Sequence, residues 1–145
     1  MIFRSKCPTL SIPEDACIWN VVENHARTIG DRPAFVCGLT ERTLTFAGSF
    51  DKPSSCAQAS RPTDSRRAAY VVILHSFNCL EYVVVFLALN RLGAICSPSS
   101  PLFNGQELAD QIEIAEAVAI ISHKKFVKVA VKAAGLRDIP LSNVC

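Results

Sequence analysis

Residues 69–74, AYVVIL, form a short run of apolar, largely β-branched residues with no polar residue between them. Such a run is typical of a strand that is covered on both faces, and strands of this kind usually belong to parallel sheets. Neighbouring parallel strands need a crossover connection, which is most often a helix. The rest of the chain is therefore expected to supply helices for both faces of a sheet.

The segments after this run predict the expected alternation of helices and strands. In FNCLEYVVVFLALNRLGA, Asn78 and Glu81 have the spacing of a capping box at a helix start, and Gly93 suits the helix end. A second capping-box pattern, Asn104 with Glu107, precedes the helix LADQIEIAEA. The remaining runs predict strands in AICSPS and AVAIIS, an amphipathic helix in HKKFVKVAVKAAGL and a last strand in DIPLSNVC.

A helix and a hairpin are predicted before the run. Acidic Glu14 and Asp15 favour a helix start and Gly30 favours its end, and between them one face is formed by Ile18, Val21, Val22, His25 and Ile29. The segment AFVCGLTERTLTF alternates in two short pieces around residues 38–42, which predicts a β-hairpin. In the later helix LADQIEIAEA, the half-buried face is expected to hold Leu108, Ile112 and Ile114.

These elements define the predicted fold class, which is α/β. The chain is expected to form an incomplete open parallel sheet with flanking helices, plus an N-terminal helix and a β-hairpin. Its 145 residues suit one small domain.

The stretch GSFDKPSSCAQASRPTDSRR, residues 48–67, shows no apolar period. Pro53 and Pro62 are expected to prevent one continuous helix, so the helix that should cover one face of the strand YVVIL is predicted to be missing. Exposing several large apolar side chains costs roughly 1.5–3 kcal/mol each, against a total stability of about 5–15 kcal/mol. Poor stability or aggregation is therefore predicted.

Composition excludes several classes of function. A net charge of +2 is too small to suggest nucleic-acid binding, and the apolar run YVVVFLAL is too short to span a bilayer. The seven cysteines are widely scattered, so neither a disulfide framework nor a metal site is expected. The N-terminus lacks the apolar core of a signal peptide, which favours a reducing, cytoplasmic setting.

The sequence holds few candidates for chemistry. The six glycines lie too far apart to form a GxGxxG turn or a GxxxxGK loop. His25 and His123 are predicted to be structural, whereas His75 ends a central strand at the edge where α/β sheets bind ligands, and is followed by Ser76 and Asn78.

Two further features have a simple structural interpretation. The loop SPSSPLFNG, residues 97–105, could line a cleft, but its prolines also set a rigid turn into the next helix. The lysines near the last helix are expected to form a solvated face: Lys124, Lys125, Lys128 and Lys132.

Three stretches resemble the N-terminal part of the adenylate-forming acid–CoA ligases, particularly the 4-coumarate–CoA ligase-like and luciferase-like branch. They are IFRSKCPTLSIP, DRPAFVCGLTERTLTF and HSFNCLEYVVVFLALNRLGAICSPSSPLFNGQEL. The resemblance implies a large N-terminal α/β domain and a small mobile lid. It also implies a reaction in which ATP and magnesium convert a small carboxylic acid to an acyl-adenylate, whose acyl group passes to coenzyme A.

The residues that perform this chemistry in the family have no counterpart here. The 145 residues contain no Ser/Thr/Gly-rich phosphate loop ending in Pro-Lys-Gly, no Tyr-Gly-x-Thr-Glu segment, no ribose-binding aspartate in its motif and no lid lysine. The resemblance therefore assigns no catalytic, cofactor-binding or metal-binding residue.

Residues 1–145 are expected to be a partial N-terminal domain of this type, with an atypical segment at 48–67 and no activity alone. A full-length parent would be cytoplasmic or peroxisomal. The alternatives are a small non-catalytic α/β binding or interaction module, and a defective truncated gene product.

Overall fold

The structure is a computed structural model, which describes Cys7, Ser11, residues 17–59 and residues 70–145. Glu14, Asp15 and Pro62 lie outside the described residues. The strands are β1 (Pro33–Val36), β2 (Thr43–Thr45), β3 (Val71–His75), β4 (Ile95–Ser99) and β5 (Ala117–Ser122). The helices are α1 (Ile18–Ile29), α2 (Phe46–Ala59), α3 (Leu80–Arg91), α4 (Gly105–Ala115) and α5 (Val127–Leu136), and a short 3₁₀ turn spans Leu141–Asn143.

The predicted α/β fold class is confirmed. Strands β1 and β2 pair antiparallel as the expected hairpin, and the other three strands form a parallel sheet in the order β4-β3-β5. The strand predicted from AYVVIL is β3, which lies at the centre of this sheet. Helices separate the three parallel strands along the chain, as crossover connections require.

Both faces of β3 are covered. Ile73 is fully buried in a cluster with α4 and α5 residues, namely Leu108, Ala109, Ile112, Ala130, Ala133 and Ala134. Val72 lies in a second cluster with Leu89 of α3 and Ala94, which just precedes β4. The alternation of Val72 and Ile73 between two clusters is the pattern of a strand packed on both sides.

The prediction that residues 48–67 lack a helix is wrong for the part that the structure describes. Helix α2 runs from Phe46 to Ala59 and continues through Pro53. It packs on α1 and α3: the Trp19 and Phe50 rings stack with centroids 5.1 Å apart, and the Arg91 guanidinium lies 4.8 Å from the Trp19 ring centroid. Because α3 supplies the buried Leu89 against Val72, β3 does not lose its cover.

The two predicted capping boxes have different outcomes. At α4 the Asn104 side chain accepts hydrogen bonds from the backbone N–H groups of Gln106 and Glu107, and the Glu107 carboxylate accepts one from the Asn104 N–H. At α3 the predicted capping box is wrong. The helix begins at Leu80 and its N-cap is Cys79, whose side chain makes no capping hydrogen bond. Gly93 adopts a φ of +70° after α3, as its predicted role at the helix end requires.

Two other predictions need correction. Ile114 is 85% exposed, because it lies two residues, or about 200°, around α4 from the buried Ile112. The segment DIPLSNVC does not form a strand. It contains the 3₁₀ turn and a single parallel bridge between Val144 and Ile120 at the outer side of β5.

Candidate functional site: the carboxyl edge of the sheet

Each strand of the parallel sheet ends on a polar residue at the same edge. His75 closes β3 and pairs in register with Ser99 of β4 on one side and with Ser122 of β5 on the other. Paired residues of neighbouring strands place their side chains on the same face of the sheet. The sheet therefore brings one imidazole and two hydroxyl groups together at the edge where α/β sheets bind ligands.

The His75 ring is completely buried. Its Nδ1 atom lies 3.4 Å from the Ser122 hydroxyl oxygen, and its Nε2 atom has no hydrogen-bond partner among the described residues. Burial lowers the pKa of His75 below its ordinary value of 6.5, an effect that the nearby Ser100 backbone partly opposes. The imidazole is therefore held in its neutral form at neutral pH.

Aromatic rings surround this edge. Phe126 lies just before α5 with its ring centroid 5.4 Å from that of His75, and Phe77 lies 4.5 Å from His123 by the same measure. The backbone N–H of His123 donates a 3.0 Å hydrogen bond to the His75 carbonyl oxygen. His123 and His75 thus belong to one cluster of packed rings.

Ser76 and Asn78, the two polar residues predicted beside His75, lie in different surroundings. Ser76 is buried and its hydroxyl donates a 2.9 Å hydrogen bond to the carbonyl oxygen of Phe77. Ser76, Ser122 and His123 are among the residues that line a cavity of about 80 Å³, too small for more than a few water molecules. Asn78 is exposed and lies two residues before α3.

The loop at residues 97–105 lines a groove of about 600 Å³ between β4 and α4. Polar groups of the loop are already hydrogen-bonded within the protein. The Gln111 amide donates 2.9 Å hydrogen bonds to the Ser97 hydroxyl and to the Pro98 carbonyl oxygen. The Ser100 hydroxyl accepts a hydrogen bond from the Leu102 N–H. The loop therefore sets the turn into α4 and also borders a groove.

The other candidate residues lie away from the edge or on the surface. The Nδ1–H group of His25 donates a 2.8 Å hydrogen bond to the Val21 carbonyl oxygen, and the ring stacks on Phe46, as a structural histidine would. The lysines Lys124, Lys125, Lys128 and Lys132 are exposed. Lys125 carries its ammonium group 5.8 Å from the centroid of the Phe77 ring.

Ser99, Ser122 and Phe126 were not singled out from the sequence. The signal for the two serines was present, because each closes a predicted strand whose carboxyl end must reach the same edge as His75. Phe126 was predicted to lie inside the last helix, but α5 begins only at Val127, so Phe126 lies in the turn that follows β5.

The edge presents hydrogen-bonding groups without a complete catalytic set. Within the described ranges, no group of three or more histidine, cysteine or acidic side chains could hold a metal ion. The hydrogen bond between Ser122 and His75 is long, and the described contacts of His75 include no carboxylate that would orient the ring as in a serine nucleophile triad. The described helices also include none long and apolar enough to cross a membrane.

Comparison with known proteins connects this fold to one enzyme family. Residues 22–143 match the family model described as AMP-binding enzyme. The chain is 30% identical over 138 residues to 4-coumarate–CoA ligase 5 of Oryza sativa subsp. japonica, which covers 95% of this chain and 25% of the relative. It is 24% identical over 161 residues to an acyl-CoA ligase of Alternaria alternata, with 99% of this chain and 28% of the relative covered.

Solved structures with the same fold include a luciferase-like enzyme from the mealworm Zophobas morio, with a TM-score of 0.77 and 14% identity over 90% of this chain and 32% of that chain. A benzoate CoA ligase from Burkholderia xenovorans has a TM-score of 0.71 and 15% identity over 81% of this chain and 23% of that chain. The chain spans about a quarter of the length of the curated relatives it matches. With its family model matched over residues 22–143, the chain belongs to the AMP-binding enzyme family.

Proposed function

We propose that this chain is part of an adenylate-forming acid–CoA ligase. The observation that carries the proposal is the match of residues 22–143 to the AMP-binding enzyme family. The names of similar proteins support it, since they include 4-coumarate–CoA ligases and an acyl-CoA ligase. Such an enzyme would use ATP and magnesium to activate a small carboxylic acid and would pass the acyl group to coenzyme A.

Within that enzyme, residues 1–145 would form part of the N-terminal α/β domain. They would support the fold of that domain and would not contribute the groups that react. Charge that develops on a transferred phosphoryl group needs positioned donors, a metal ion and a lysine. The 145 residues contain no glycine-rich phosphate loop, and their described part holds no cluster suited to a metal ion. The chain alone is therefore expected to form no acyl-adenylate.

The framework role has a physical basis in the sheet. Strand β3 is packed on both faces, and the carboxyl edge of the sheet holds His75, Ser99 and Ser122, one from each strand, in fixed register. An edge of this kind can position loops from the rest of a large α/β domain. The cytoplasmic location and the two alternatives, an interaction module and a defective gene product, stay predictions.

A chimeric ligase tests the proposal. The matched segment of the Oryza sativa relative would be replaced by the corresponding residues of this chain, and ATP–pyrophosphate exchange would be measured with 4-coumarate. Retained exchange within about tenfold of the parent, or about 1.4 kcal/mol in activation free energy, is expected if the segments are equivalent frameworks. A parent ligase with the segment deleted provides the control and should show no exchange.

Failure of the chimera must be separated from misfolding. Circular dichroism and a cooperative thermal transition like the parent's would show that the chimera is folded. A folded chimera without acid-dependent exchange would contradict the proposed function. A chimera that does not fold would also count against equivalence of the two frameworks, because the proposal requires this segment to complete the domain.

A further inference from the structure

Residues 143–145 pair with the outer edge of β5, which is the last strand on this side of the described sheet. The backbone N–H of Cys145 donates a 3.0 Å hydrogen bond to the Ile120 carbonyl oxygen, and the Ser122 N–H donates a 2.6 Å hydrogen bond to the Cys145 carbonyl oxygen. Val144 forms a parallel bridge with Ile120. One residue that bonds two positions of its neighbour in this way is the pattern of a parallel ladder, so residues 143–145 run in the same direction as β5.

Side chains also hold this segment against the sheet. Val144 packs on the core cluster that contains the fully buried Ile120. The side-chain amide of Asn143 donates a 3.1 Å hydrogen bond to the Val118 carbonyl oxygen of β5. The segment is therefore positioned by backbone hydrogen bonds, by a side-chain hydrogen bond and by apolar packing.

The register of this pairing determines where a continuing chain would lie. Because Val144 pairs with Ile120, the residue two places after Val144 would pair with Ser122. Ser122 itself pairs with His75, and His75 pairs with Ser99. Paired residues of neighbouring strands place their side chains on the same face of the sheet. The side chain of a residue directly after position 145 would therefore extend the row of Ser99, His75 and Ser122.

We propose that the outer edge of β5 is the docking site for a further parallel strand, formed by the polypeptide that follows this segment in an acid–CoA ligase. This inference rests on the proposed function. Two observations favour this occupant. Residues 143–145 already have the direction and register of such a strand, and the chain spans about a quarter of the length of the curated relatives it matches.

The docked strand would add to the candidate site. Its carboxyl end would lie at the same edge as those of β3, β4 and β5, because all four strands would be parallel. The chain beyond it would pass close to Ser122 and His123, where the rings of His123 and Phe77 lie 4.5 Å apart by their centroids. The first residue of the docked strand would thus be a site-lining residue from outside these 145 residues.

A second copy of this chain is the poorer occupant. A strand from another molecule would need the Ser122 N–H and the Ile120 carbonyl oxygen, and Cys145 of the same chain already bonds both groups. The open part of the ladder begins after Cys145, so the polypeptide that continues from Cys145 reaches it without displacing an existing hydrogen bond.

Amide hydrogen exchange, measured by NMR, tests the proposal on the full chain extended after Cys145. The extension consists of about eight residues, a typical strand with its flank, taken from the sequence that follows the matched segment in the Oryza sativa relative. Alternate N–H groups of a strand face the same neighbour, so the second added N–H would bond the Ser122 carbonyl oxygen and the first would face away from β5. The second added amide is expected to exchange at least about tenfold more slowly than the first, after correction for intrinsic rates.

Two proline variants of the extended chain form a matched pair. Cys145→Pro removes the N–H that bonds Ile120, and it is expected to abolish the protection of the second added amide. Proline at the first added residue removes an N–H that faces away from β5, and the protection is expected to remain. The amides of β3 report whether each variant keeps its fold.

Several results would overturn the docking site. They are equal exchange of the first two added amides, protection that survives Cys145→Pro, and an extension that unfolds the sheet. Protection that increases with protein concentration would show that a second copy is the occupant, and would also overturn it.

The amide pattern is independent of catalysis, so it can be separated from the chimera experiment. An active chimera together with unprotected added amides would contradict the docking site alone. Protected amides together with a folded but inactive chimera would contradict the proposed function alone.

Discussion

At the scale of single residues, the buried His75 ring makes the free energy of unfolding depend on pH. Burial lowers the pKa of His75 in the folded state below 6.5, its ordinary value. As the pH falls through this window the unfolded chain takes up the proton first, so stability decreases until the pH passes the folded-state pKa. The urea concentration at the unfolding midpoint of the wild-type chain is expected to decrease as the pH is lowered from about 7.5 to about 5.

The matched variants are His75→Gln, which removes the titrating ring, and His25→Gln, which leaves His75 in place. The first is expected to flatten the dependence of the midpoint on pH, and the second is expected to retain it. The same slope in the wild-type chain and in His75→Gln would show that another group is responsible.

Gly105 allows α4 and α5 to approach closely. A Cβ atom at this position would lie 2.7 Å from the Lys132 Cδ atom and 2.9 Å from its Cγ atom. Gly105→Ala is expected to lower the free energy of unfolding by about 1 kcal/mol, because the overlap outweighs the gain in helix propensity. Chemical denaturation measures the change.

Lys132→Ala tests the cause by a double-mutant cycle. Once the lysine stem is removed, Gly105→Ala is expected to be neutral or to stabilise by up to about 1 kcal/mol. An equal loss of stability in both backgrounds would exclude the contact with Lys132 as the reason for glycine.

At the scale of elements, the two sequence patterns for a capping box provide a prediction with its own control. Asn104→Ala is expected to cost about 1 kcal/mol, because the Asn104 side chain accepts hydrogen bonds from two backbone N–H groups of α4. Asn78→Ala is expected to change stability by less than about 0.5 kcal/mol, because Asn78 does not cap α3. Similar losses for the two variants in urea denaturation would contradict these assignments.

Helix α2 gives a prediction whose sign depends on the structure. Pro53 lies well inside the helix and has no backbone N–H for the carbonyl oxygen of Ser49, four residues earlier. Pro53→Ala is therefore expected to stabilise the chain, by roughly 1–3 kcal/mol. If residues 46–59 formed an irregular segment, the same change would destabilise by about 0.4–1 kcal/mol through a more flexible unfolded chain. The thermal midpoint distinguishes the two outcomes.

The elements also show why sequence reasoning succeeded for some segments and failed for others. The strand β3 and the capping box at Asn104 follow from local patterns, and both are confirmed. Helix α2 was missed because its sequence has no apolar period. Its described packing instead includes a contact between large side chains, Phe50 against Trp19. Asn78 failed as a cap because α3 begins two residues after it, and residue spacing alone does not fix where a helix starts.

At the scale of the whole molecule, the arrangement of the sheet decides which residues meet. The sequence predicted that His75 would end the central strand at the carboxyl edge of the sheet, and the structure places it there between Ser99 and Ser122. The strand order β4-β3-β5 was needed to identify those neighbours, because it determines which strands flank β3. The expected exposure of one face of YVVIL is wrong, since Val72, Ile73 and Leu74 are at most 3% exposed, so that reason for poor stability no longer holds.

We propose that these 145 residues supply part of the framework of an acid–CoA ligase without the groups that activate an acid. ATP–pyrophosphate exchange by the isolated chain, with a panel of aryl and fatty acids, tests it most directly. No exchange above the protein-free blank is expected, while an intact 4-coumarate–CoA ligase in the same mixture should be active. Acid-dependent exchange that follows the purified chain and disappears in the His75→Gln variant would contradict the claim.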